Sequence, residues 1–210
     1  MTRVLVTGFE PFAGSPVNPS RRLVEELAAR PPAGAELVTA VLPVSYARAA
    51  GELRAALRAA EPDVVVCFGQ ADGRVGISVE RFALNLDDAA NVDDEGASSG
   101  SPVEPEGPVA YRSTLPVDEI VAALRAAGIP AAASRDPGGF LCNHVFYALM
   151  RLLEQERPEA SGGFVHVPLL PEQALERPAA SMPLDVLVRA AAIVLAVAAG
   201  DGTSQDARAS

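Results

Sequence analysis

The chain has 210 residues, of which 49% are hydrophobic, and its mean hydropathy is +0.19. This length is sufficient to bury a substantial core, so we expect one domain over residues 1–200 rather than two. The formal charge is −10, from 17 basic and 27 acidic side chains, and this excess of negative charge would repel a phosphate backbone, which argues against nucleic acid as a partner.

The first half of the chain alternates short apolar runs with segments of helical pattern. Strands are predicted over residues 3–8, 36–44, 62–69 and 76–86, and helices over residues 18–30 and 45–60. Asn18 is the expected N-cap of the first helix, because Pro19 suits a first helical turn, and Ser45 is the expected N-cap of the second. Strands that alternate with helices indicate an α/β sandwich with a largely parallel sheet.

The second half continues this alternation after a long acidic segment. Residues 87–108 are rich in Gly, Pro and Ser and have no periodicity, so we expect a loop rather than a domain linker. Further helices are predicted over residues 116–128, 142–156 and 184–200, and strands over residues 129–134 and 162–170. Residues 201–210 are expected to form a flexible tail.

Neither a membrane segment nor a disulfide framework is expected. The longest apolar run, residues 190–199, is too short to span a bilayer, and the N-terminal run is too short for a signal peptide. The only cysteines are Cys67 and Cys142, and one pair of cysteines cannot form a disulfide framework for a chain of this size. With only two histidines besides, a closed zinc site is not expected, and the composition suits a reducing cytoplasm.

Cys142 is the first candidate for chemistry. It follows the loop-forming residues 136–139 and lies at the predicted first turn of a helix. The unsatisfied backbone N–H groups and the helix dipole there favour a thiolate, and the same N–H groups can bind a developing oxyanion. Cys67 lies in the middle of an apolar strand, for which inert core packing is favoured.

A thiolate nucleophile usually needs a general base, and the chain offers only His144 and His166. His144 is two residues past Cys142, so it points to nearly the opposite side of the helix and is the poorer candidate. His166 lies at the C-terminal end of a predicted strand, where open α/β sheets place their ligand crevices. The alternative for His166 is a packed core histidine.

Glu80 is a candidate partner for the imidazole of His166. In a strand of period two, Glu80 would share one face with three apolar side chains, those of Phe82, Leu84 and Leu86. A carboxylate buried in this way needs a partner, and an imidazole suits because the carboxylate would fix its tautomer and stabilise its protonated form. From the pattern alone, pairing with Arg74 or Arg81 is an equally good interpretation.

The loop over residues 7–20 follows a strand and precedes a helix, as phosphate-binding loops do. It has neither the lysine of a P-loop nor the G-x-G-x-x-G spacing, which argues against nucleotide binding. It does carry two aromatic residues, Phe9 and Phe12, which at a crevice would form an apolar wall for a small ring. Packing of these rings beneath the loop is an equal alternative.

Four motifs in one order resemble the pyrrolidone carboxyl peptidases, also called type I pyroglutamyl peptidases. They are GFEPFAGSPVNPS, GRVGISVERFALNLDDA, FLCNHVFY and GGFVHVP, within a match that runs from Val4 to about Pro171. The resemblance implies a three-layer α/β/α sandwich with a central mixed, largely parallel twisted sheet. It also implies a cytosolic cysteine peptidase, often a homotetramer, that removes N-terminal pyroglutamyl residues from peptides without a metal or organic cofactor.

The resemblance further implies a role for individual residues. Cys142 would be the nucleophile, His166 the general base and acid, and Glu80 the residue that orients the imidazole. Five residues would contact the substrate: Phe9 and Phe12 beside the pyrrolidone ring, Gln70 where backbone groups bind the ring amide, and Phe140 and Leu141 next to the nucleophile. A lactam has no α-amino charge, so an apolar pocket with one donor and one acceptor can prefer it over a free amine.

The chain departs from the family where an arginine is expected after NLDDA. That arginine helps the oxyanion site and precedes an Ile-Pro pair, whereas this chain has Ala90, Asn91 and Val92. Loss of one oxyanion donor lowers a rate by roughly 10²- to 10³-fold. The alternatives are therefore a weakened or inactive homologue that binds lactams, or an amidase for a related small lactam or acyl amide, with Arg81 or Arg112 as possible replacements for the missing donor.

Overall fold

The computed structural model describes residues 1–88, 92–175 and 178–200. Its strands and helices in chain order are β1 (Thr2–Phe9), α1 (Pro19–Ala29), β2 (Ala35–Leu42), α2 (Ala49–Ala60), β3 (Val64–Gln70), β4 (Ile77–Glu80), β5 (Phe82–Leu84), β6 (Ala110–Arg112), α3 (Val117–Ala126), β7 (Ala131–Ser134), α4 (Leu141–Glu156), β8 (Ser161–Val167) and α5 (Leu184–Ala198). A short 3₁₀ helix, Pro171–Ala174, lies between β8 and α5. The predicted tail, residues 201–210, lies outside the described residues.

The central sheet has six strands in the order β2-β1-β3-β8-β4-β7. Strands β2, β1, β3 and β8 pair in parallel, β4 runs antiparallel to β8, and β7 runs parallel to β4. The predicted class, a mixed and largely parallel sheet, is therefore confirmed. The one antiparallel pair matters for the site, because it places the end of β4 against β8.

Helices cover both faces of this sheet, so successive residues of a strand face two different apolar cores. On β1, Val4 and Val6 pack with residues of α1, α3 and α5, whereas Leu5 packs with residues of α2 and α4. Both faces of the central strands are thus apolar, which explains why β1 and β3 are continuous hydrophobic runs in the sequence. Among the described residues, no helix is long and apolar enough to cross a membrane.

The first helix begins as predicted, whereas the second begins later. The Asn18 side chain accepts a hydrogen bond from Ser20 N–H at 3.0 Å and caps α1. Helix α2 begins at Ala49, so the prediction of Ser45 as its N-cap is wrong. Ser45 Oγ has no hydrogen-bond partner among the described residues, and the neighbouring Tyr46 N–H donates to Asp93 Oδ2 of the acidic loop at 2.8 Å.

The predicted strand over residues 76–86 is divided between two sheets. Strand β4 ends at Glu80 in the central sheet, and β5 pairs antiparallel with β6 in a separate two-stranded sheet. Arg81 lies between them: its N–H donates to the Ser134 carbonyl at 2.8 Å, and its carbonyl accepts the Ser113 N–H at 2.9 Å. The chain therefore changes sheets at this single residue.

This division corrects one step of the sequence analysis. Glu80 does not share a sheet face with Phe82, Leu84 and Leu86, so the row of apolar side chains headed by a carboxylate is wrong. Glu80 is buried all the same, with no exposed surface. Its burial comes from the central sheet, where β4 lies between β8 and β7.

Candidate active site

Cys142 is the second residue of α4, as the sequence predicts. The helix begins at Leu141 after Phe140, an N-cap in extended conformation that is not capped by any described side chain. The first backbone bond of the helix is from His144 N–H to the Phe140 carbonyl, at 3.1 Å. The N–H groups of the first turn are therefore available beside Cys142, where they favour negative charge on a thiolate or an oxyanion.

His166 and Glu80 form a buried hydrogen-bonded pair. His166 Nδ1 lies 2.8 Å from Glu80 Oε1, and the two residues are 4% and 0% exposed. The antiparallel pairing of β4 with β8 sets Ser78 opposite His166, so Glu80 is a diagonal neighbour on the same face. The carboxylate holds Nδ1, which leaves Nε2 as the ring nitrogen free to exchange a proton with another group.

Cys142 is the other partner of this imidazole. Burial by itself lowers the pKa of His166, because it disfavours the charged ring, but the charge and hydrogen bond of Cys142 and then those of Glu80 act in the opposite direction. Together they raise the pKa of His166 to about 9. The protonated ring is thus favoured at neutral pH between the sulfur of Cys142 and the carboxylate of Glu80, an arrangement suited to activating a cysteine nucleophile.

Gly69 makes room for the sulfur. This residue pairs in register with His166, and a Cβ added to it would lie 2.7 Å from Cys142 Sγ and 2.7 Å from Phe164 Cζ. Real contacts are not this short, so the thiol rests directly on the backbone of β3. The absence of a side chain here is what lets α4 bring Cys142 to the face of the sheet that carries His166.

Replacing Gly69 with alanine is expected to displace the thiol. The added methyl group would need the space of Sγ, so the rate of Cys142 alkylation by iodoacetamide should fall at least about tenfold. Gly51→Ala is the matched control, because an added Cβ there meets no atom within 4 Å and lies in helix α2. The control should alkylate like the wild type and gain up to ~1 kcal/mol of stability. Equal alkylation rates in both variants would contradict this packing.

A buried asparagine that the sequence analysis did not single out fixes the start of α4. Asn143 has no exposed surface; its Oδ1 accepts the Leu84 N–H at 2.8 Å, and its Nδ2 donates to the carbonyls of Leu84 and Leu86 at 2.9 and 2.7 Å. Beside it, Asp88 N–H donates to the Gly139 carbonyl at 2.6 Å. A polar residue within the apolar face of the helix was the available signal, since a buried amide needs partners.

His144 is turned away from the thiol, as its spacing predicts. Its Nδ1 lies 2.9 Å from Asp87 Oδ2, and its ring lines a cleft between α2 and α4. The Asp87–His144 pair adds a further contact between α4 and the segment that follows β5. No pattern in the sequence predicts this pair.

Three aromatic rings form a wall in front of α4. Phe12 and Phe140 lie 6.2 Å apart between ring centroids, and Tyr46 meets Phe140 edge-on at 5.8 Å. Phe9, which was expected to flank a ring with Phe12, is only 3% exposed and packs against Phe164 at 6.3 Å. The structure thus brings together Phe12, Phe140 and the unanticipated Tyr46, and places Phe9 in the layer beneath.

The remaining predicted substrate residues, Leu141 and Gln70, lie at the start of α4 and at the end of β3. Leu141 is 2% exposed, so its side chain belongs to the core and only its backbone faces the site. Gln70 ends β3, one residue after Gly69, and its Oε1 accepts a hydrogen bond from Gln173 Nε2 at 3.0 Å. Gln173 in turn accepts the Leu170 N–H at 2.9 Å, a link that no pattern in the sequence reveals.

The expected replacements for the family arginine, Arg81 and Arg112, both lie at a pocket beside α3. Arg81 pairs with Asp118, and Arg112 lines a polar pocket at the start of α3. Ala90 and Asn91 lie outside the described residues, and Val92 is 60% exposed. Arg81 is thus engaged by Asp118, and among the described residues no hydrogen bond or ion pair joins Arg81 or Arg112 to Cys142.

The second cysteine is a packed core residue, as predicted. Cys67 has no exposed surface, and burial raises the pKa of its thiol to about 12. Its thiol is therefore uncharged near neutral pH and is not a second nucleophile. Within the part of the chain that the structure describes, no group of three or more His, Cys, Asp or Glu side chains is arranged to hold a metal ion.

The chain is similar to known proteins over almost its whole length. A family model described as "Pyroglutamyl peptidase" matches residues 2–201. The pyrrolidone-carboxylate peptidase of Streptomyces coelicolor is 47% identical over 207 residues, which cover 98% of this chain and 96% of that protein. The pyrrolidone-carboxylate peptidase of Gloeobacter violaceus is 50% identical over 197 residues, or 93% of this chain and 96% of that protein. The crystal structure of pyroglutamyl peptidase I from Bacillus amyloliquefaciens superposes with a TM-score of 0.92 at 40% identity, covering 95% of this chain and 98% of that one.

Proposed function

The chain belongs to the pyroglutamyl peptidase family and removes N-terminal pyroglutamyl residues from peptides as a cysteine peptidase; we propose that Cys142, His166 and Glu80 carry out this reaction. The observation that carries the assignment is the imidazole of His166, which is hydrogen-bonded to the carboxylate of Glu80 and interacts with the thiol of Cys142, whose sulfur packs against Gly69, the residue in register with His166. This is the order of groups that nucleophile, base and orienting residue require.

The first step is attack of the Cys142 thiolate on the carbonyl carbon of the pyroglutamyl residue. A C–S bond forms and the π electrons of the carbonyl move to its oxygen. The N–H groups at the start of α4 lie beside the attacking sulfur and stabilise the resulting oxyanion. The proton of the thiol is by then on His166, whose raised pKa keeps it there at neutral pH.

The second step releases the shortened peptide. The oxyanion collapses, the C–N bond breaks, and His166 gives its proton to the departing amine. A pyroglutamyl thioester remains on Cys142. A water molecule then attacks this thioester while His166 accepts its proton, and the C–S bond breaks to give pyroglutamate and the free thiol. Glu80 keeps the same ring orientation through both proton transfers.

The aromatic wall supports a preference for the uncharged lactam. Phe12, Phe140 and Tyr46 offer apolar ring surface, on which a protonated amine would lose hydration that an uncharged lactam does not need. Gln70, at the end of β3, has backbone and side-chain groups that suit the lactam N–H and carbonyl. We propose that these residues select N-terminal pyroglutamate by excluding a charged α-amino group.

The test is hydrolysis of an L-pyroglutamyl amide of a fluorogenic amine under reducing conditions. The matched L-prolyl amide has the same leaving group and ring size but carries a charged amine in place of the lactam. We expect kcat/KM for the pyroglutamyl compound to exceed that for the prolyl compound by at least ~10²-fold. Equal rates for the two compounds, or no hydrolysis of either, would contradict the proposed function.

We also propose a cytoplasmic location and a homo-oligomer, either a dimer or a tetramer. The location is supported by the two free thiols, one of them the nucleophile, because a reducing compartment keeps such groups active. The assembly is supported by resemblance to a family whose members are often tetrameric. Light scattering coupled to gel filtration tests it, and a mass equal to the 21.7 kDa of one chain would contradict it.

A further inference from the structure

Arg74 lies between the orienting carboxylate and the loop that leads to the nucleophile. Its guanidinium nitrogen Nη2 donates to the Asp136 carbonyl at 2.6 Å and lies 3.9 Å from Glu80 Oε1. The side chain is 32% exposed, so it closes this side of the site from solvent only in part. Arg81, directly after Glu80 in the sequence, pairs with Asp118 instead.

Glu80 needs a cation nearby for an electrostatic reason. The carboxylate has no exposed surface, and its Oε2 has no hydrogen-bond partner among the residues that the structure describes. The hydrogen bond to the His166 ring engages Oε1 only, and the removal of a full charge from water favours further positive charge nearby. Besides that ring, Arg74 is the positively charged side chain that the structure places within 4 Å of this carboxylate.

The other contact of Arg74, with the Asp136 carbonyl, holds the loop that leads to Cys142. The loop from Ser134 to the start of α4 turns twice on itself: Asp136 N–H bonds to Ser134 Oγ at 3.1 Å, and Asp136 Oδ1 accepts the Gly138 N–H at 3.1 Å. Gly138 has φ +76, which is the left-handed region that glycine adopts readily. The Asp136 carbonyl is the point at which Arg74 holds this loop to the rest of the site.

We propose that Arg74 is a positioning residue that couples the Glu80–His166 pair to the nucleophile loop, by neutralising the Glu80 carboxylate and anchoring the Asp136 carbonyl with one guanidinium group. This inference deepens the proposed function and depends on it. Arg74 does not touch the reacting atoms. Its charge changes the pKa values of the triad residues, and its hydrogen bond keeps the loop before Cys142 in place.

A fixed positive charge at this place has a measurable signature. It stabilises the Cys142 thiolate and disfavours the His166 imidazolium, so its removal should move both limbs of a bell-shaped pH–rate profile to higher pH. With partial screening by solvent, the expected movement is ~0.5 pH unit or more. Other titratable side chains close to the triad are unchanged by the substitution, among them Cys67 on β3, His144 on α4, and Asp88 and Asp136 beside the start of α4.

The experiment compares Arg74→Gln, Arg74→Lys and the wild type. For each we would measure kcat and KM for the L-pyroglutamyl amide, and the rate of Cys142 alkylation by iodoacetamide, both as a function of pH. Arg74→Gln should lower kcat at least about tenfold, with a smaller change in KM, and move both limbs upward. Arg74→Lys, which keeps the charge but not the planar fork, should restore the positions of the limbs and only part of kcat. Arg21→Gln, on the exposed face of α1, is the control and should match the wild type.

The outcomes separate this inference from the proposed function. A wild-type enzyme that hydrolyses the amide, with an Arg74→Gln profile whose limbs stay in place, would overturn the role of Arg74 and leave the peptidase assignment intact. A lower rate without movement of the limbs, unrelieved by lysine, would also overturn it, since that result indicates only a structural contact. The alkylation profile reports on the thiol even without turnover, so an inactive wild type would count against the proposed function alone.

Discussion

Replacing Cys142 with serine is expected to lower kcat/KM for an L-pyroglutamyl amide by at least about 10³-fold. The serine hydroxyl is a much weaker acid than a thiol, so His166, suited to hold the thiol proton, cannot generate the alkoxide at neutral pH. The substitution changes one atom at the second position of α4, and the fold should therefore be retained. The measurement is steady-state kinetics with active-site concentration determined in parallel.

The other cysteine provides the control for this substitution. Cys67→Ala removes a thiol from the core of β3, without changing any group proposed to touch the substrate. It should cost ~1–2 kcal/mol of stability and leave kcat/KM within about threefold of the wild type. Activity lost in Cys67→Ala but retained in Cys142→Ser would reverse the assignment of the nucleophile.

Replacing Glu80 with glutamine is expected to lower kcat by ~10²- to 10⁴-fold. The amide has the same shape and can still bond to the imidazole, but it has no charge to support the imidazolium. It can also present its NH₂ group to Nδ1, which selects the wrong tautomer of His166. Because the change neutralises a buried charge, the free energy of unfolding should not fall in proportion to the activity.

The pH dependence separates this role from a general loss of packing. With the pKa of His166 raised to about 9, the wild-type rate should fall as pH rises through about 9, since the ring then loses the proton that the departing amine needs. Glu80 contributes to that raised pKa, so in Glu80→Gln the alkaline limb should move to lower pH. Glu25→Gln on the surface of α1 is the matched control. An unchanged alkaline limb together with near-normal kcat in Glu80→Gln would contradict the assignment.

Most of the fold could be predicted because the local signals agree with the tertiary structure. Strand β3 is buried on both faces and is therefore a continuous apolar run, and α1 has the Asn18 cap that its sequence predicts. The division of β4 from β5 at Arg81 could not be predicted, because the alternating pattern continues through it. What separates the two strands is long-range: β6 pairs with β5, and the buried side chain of Asn143 binds the backbone of Leu84.

The start of α2 was missed for a similar reason. Ser45 has the sequence features of an N-cap, but its Oγ has no hydrogen-bond partner among the described residues, the Tyr46 N–H binds Asp93 of the distant acidic loop, and the helix begins at Ala49. A contact with a residue that is remote in sequence cannot be read from local capping preferences.

The candidate site was predictable to the extent that it lies at the ends of elements. Cys142 at a helix start and His166 at a strand end follow from local rules, and the fold brings them together. The pattern left open whether Glu80 pairs with an imidazole or an arginine, and the structure shows both, at 2.8 Å from His166 and 3.9 Å from Arg74. Glu80 does not head the apolar face that was expected, yet its contact with His166 is present, because the antiparallel pairing of β4 and β8 produces it.

Detection of the acyl-enzyme tests the central claim most directly. Wild-type enzyme mixed with an L-pyroglutamyl amide would be quenched in acid during turnover, and the intact chain fragmented in a mass spectrometer. We predict one pyroglutamyl group bound as a thioester to Cys142, which fragment ions would place within residues 136–151 and not within residues 59–74 around Cys67. Steady hydrolysis with no adduct under any quench time, or an adduct on a residue other than Cys142, would contradict covalent catalysis by this thiol.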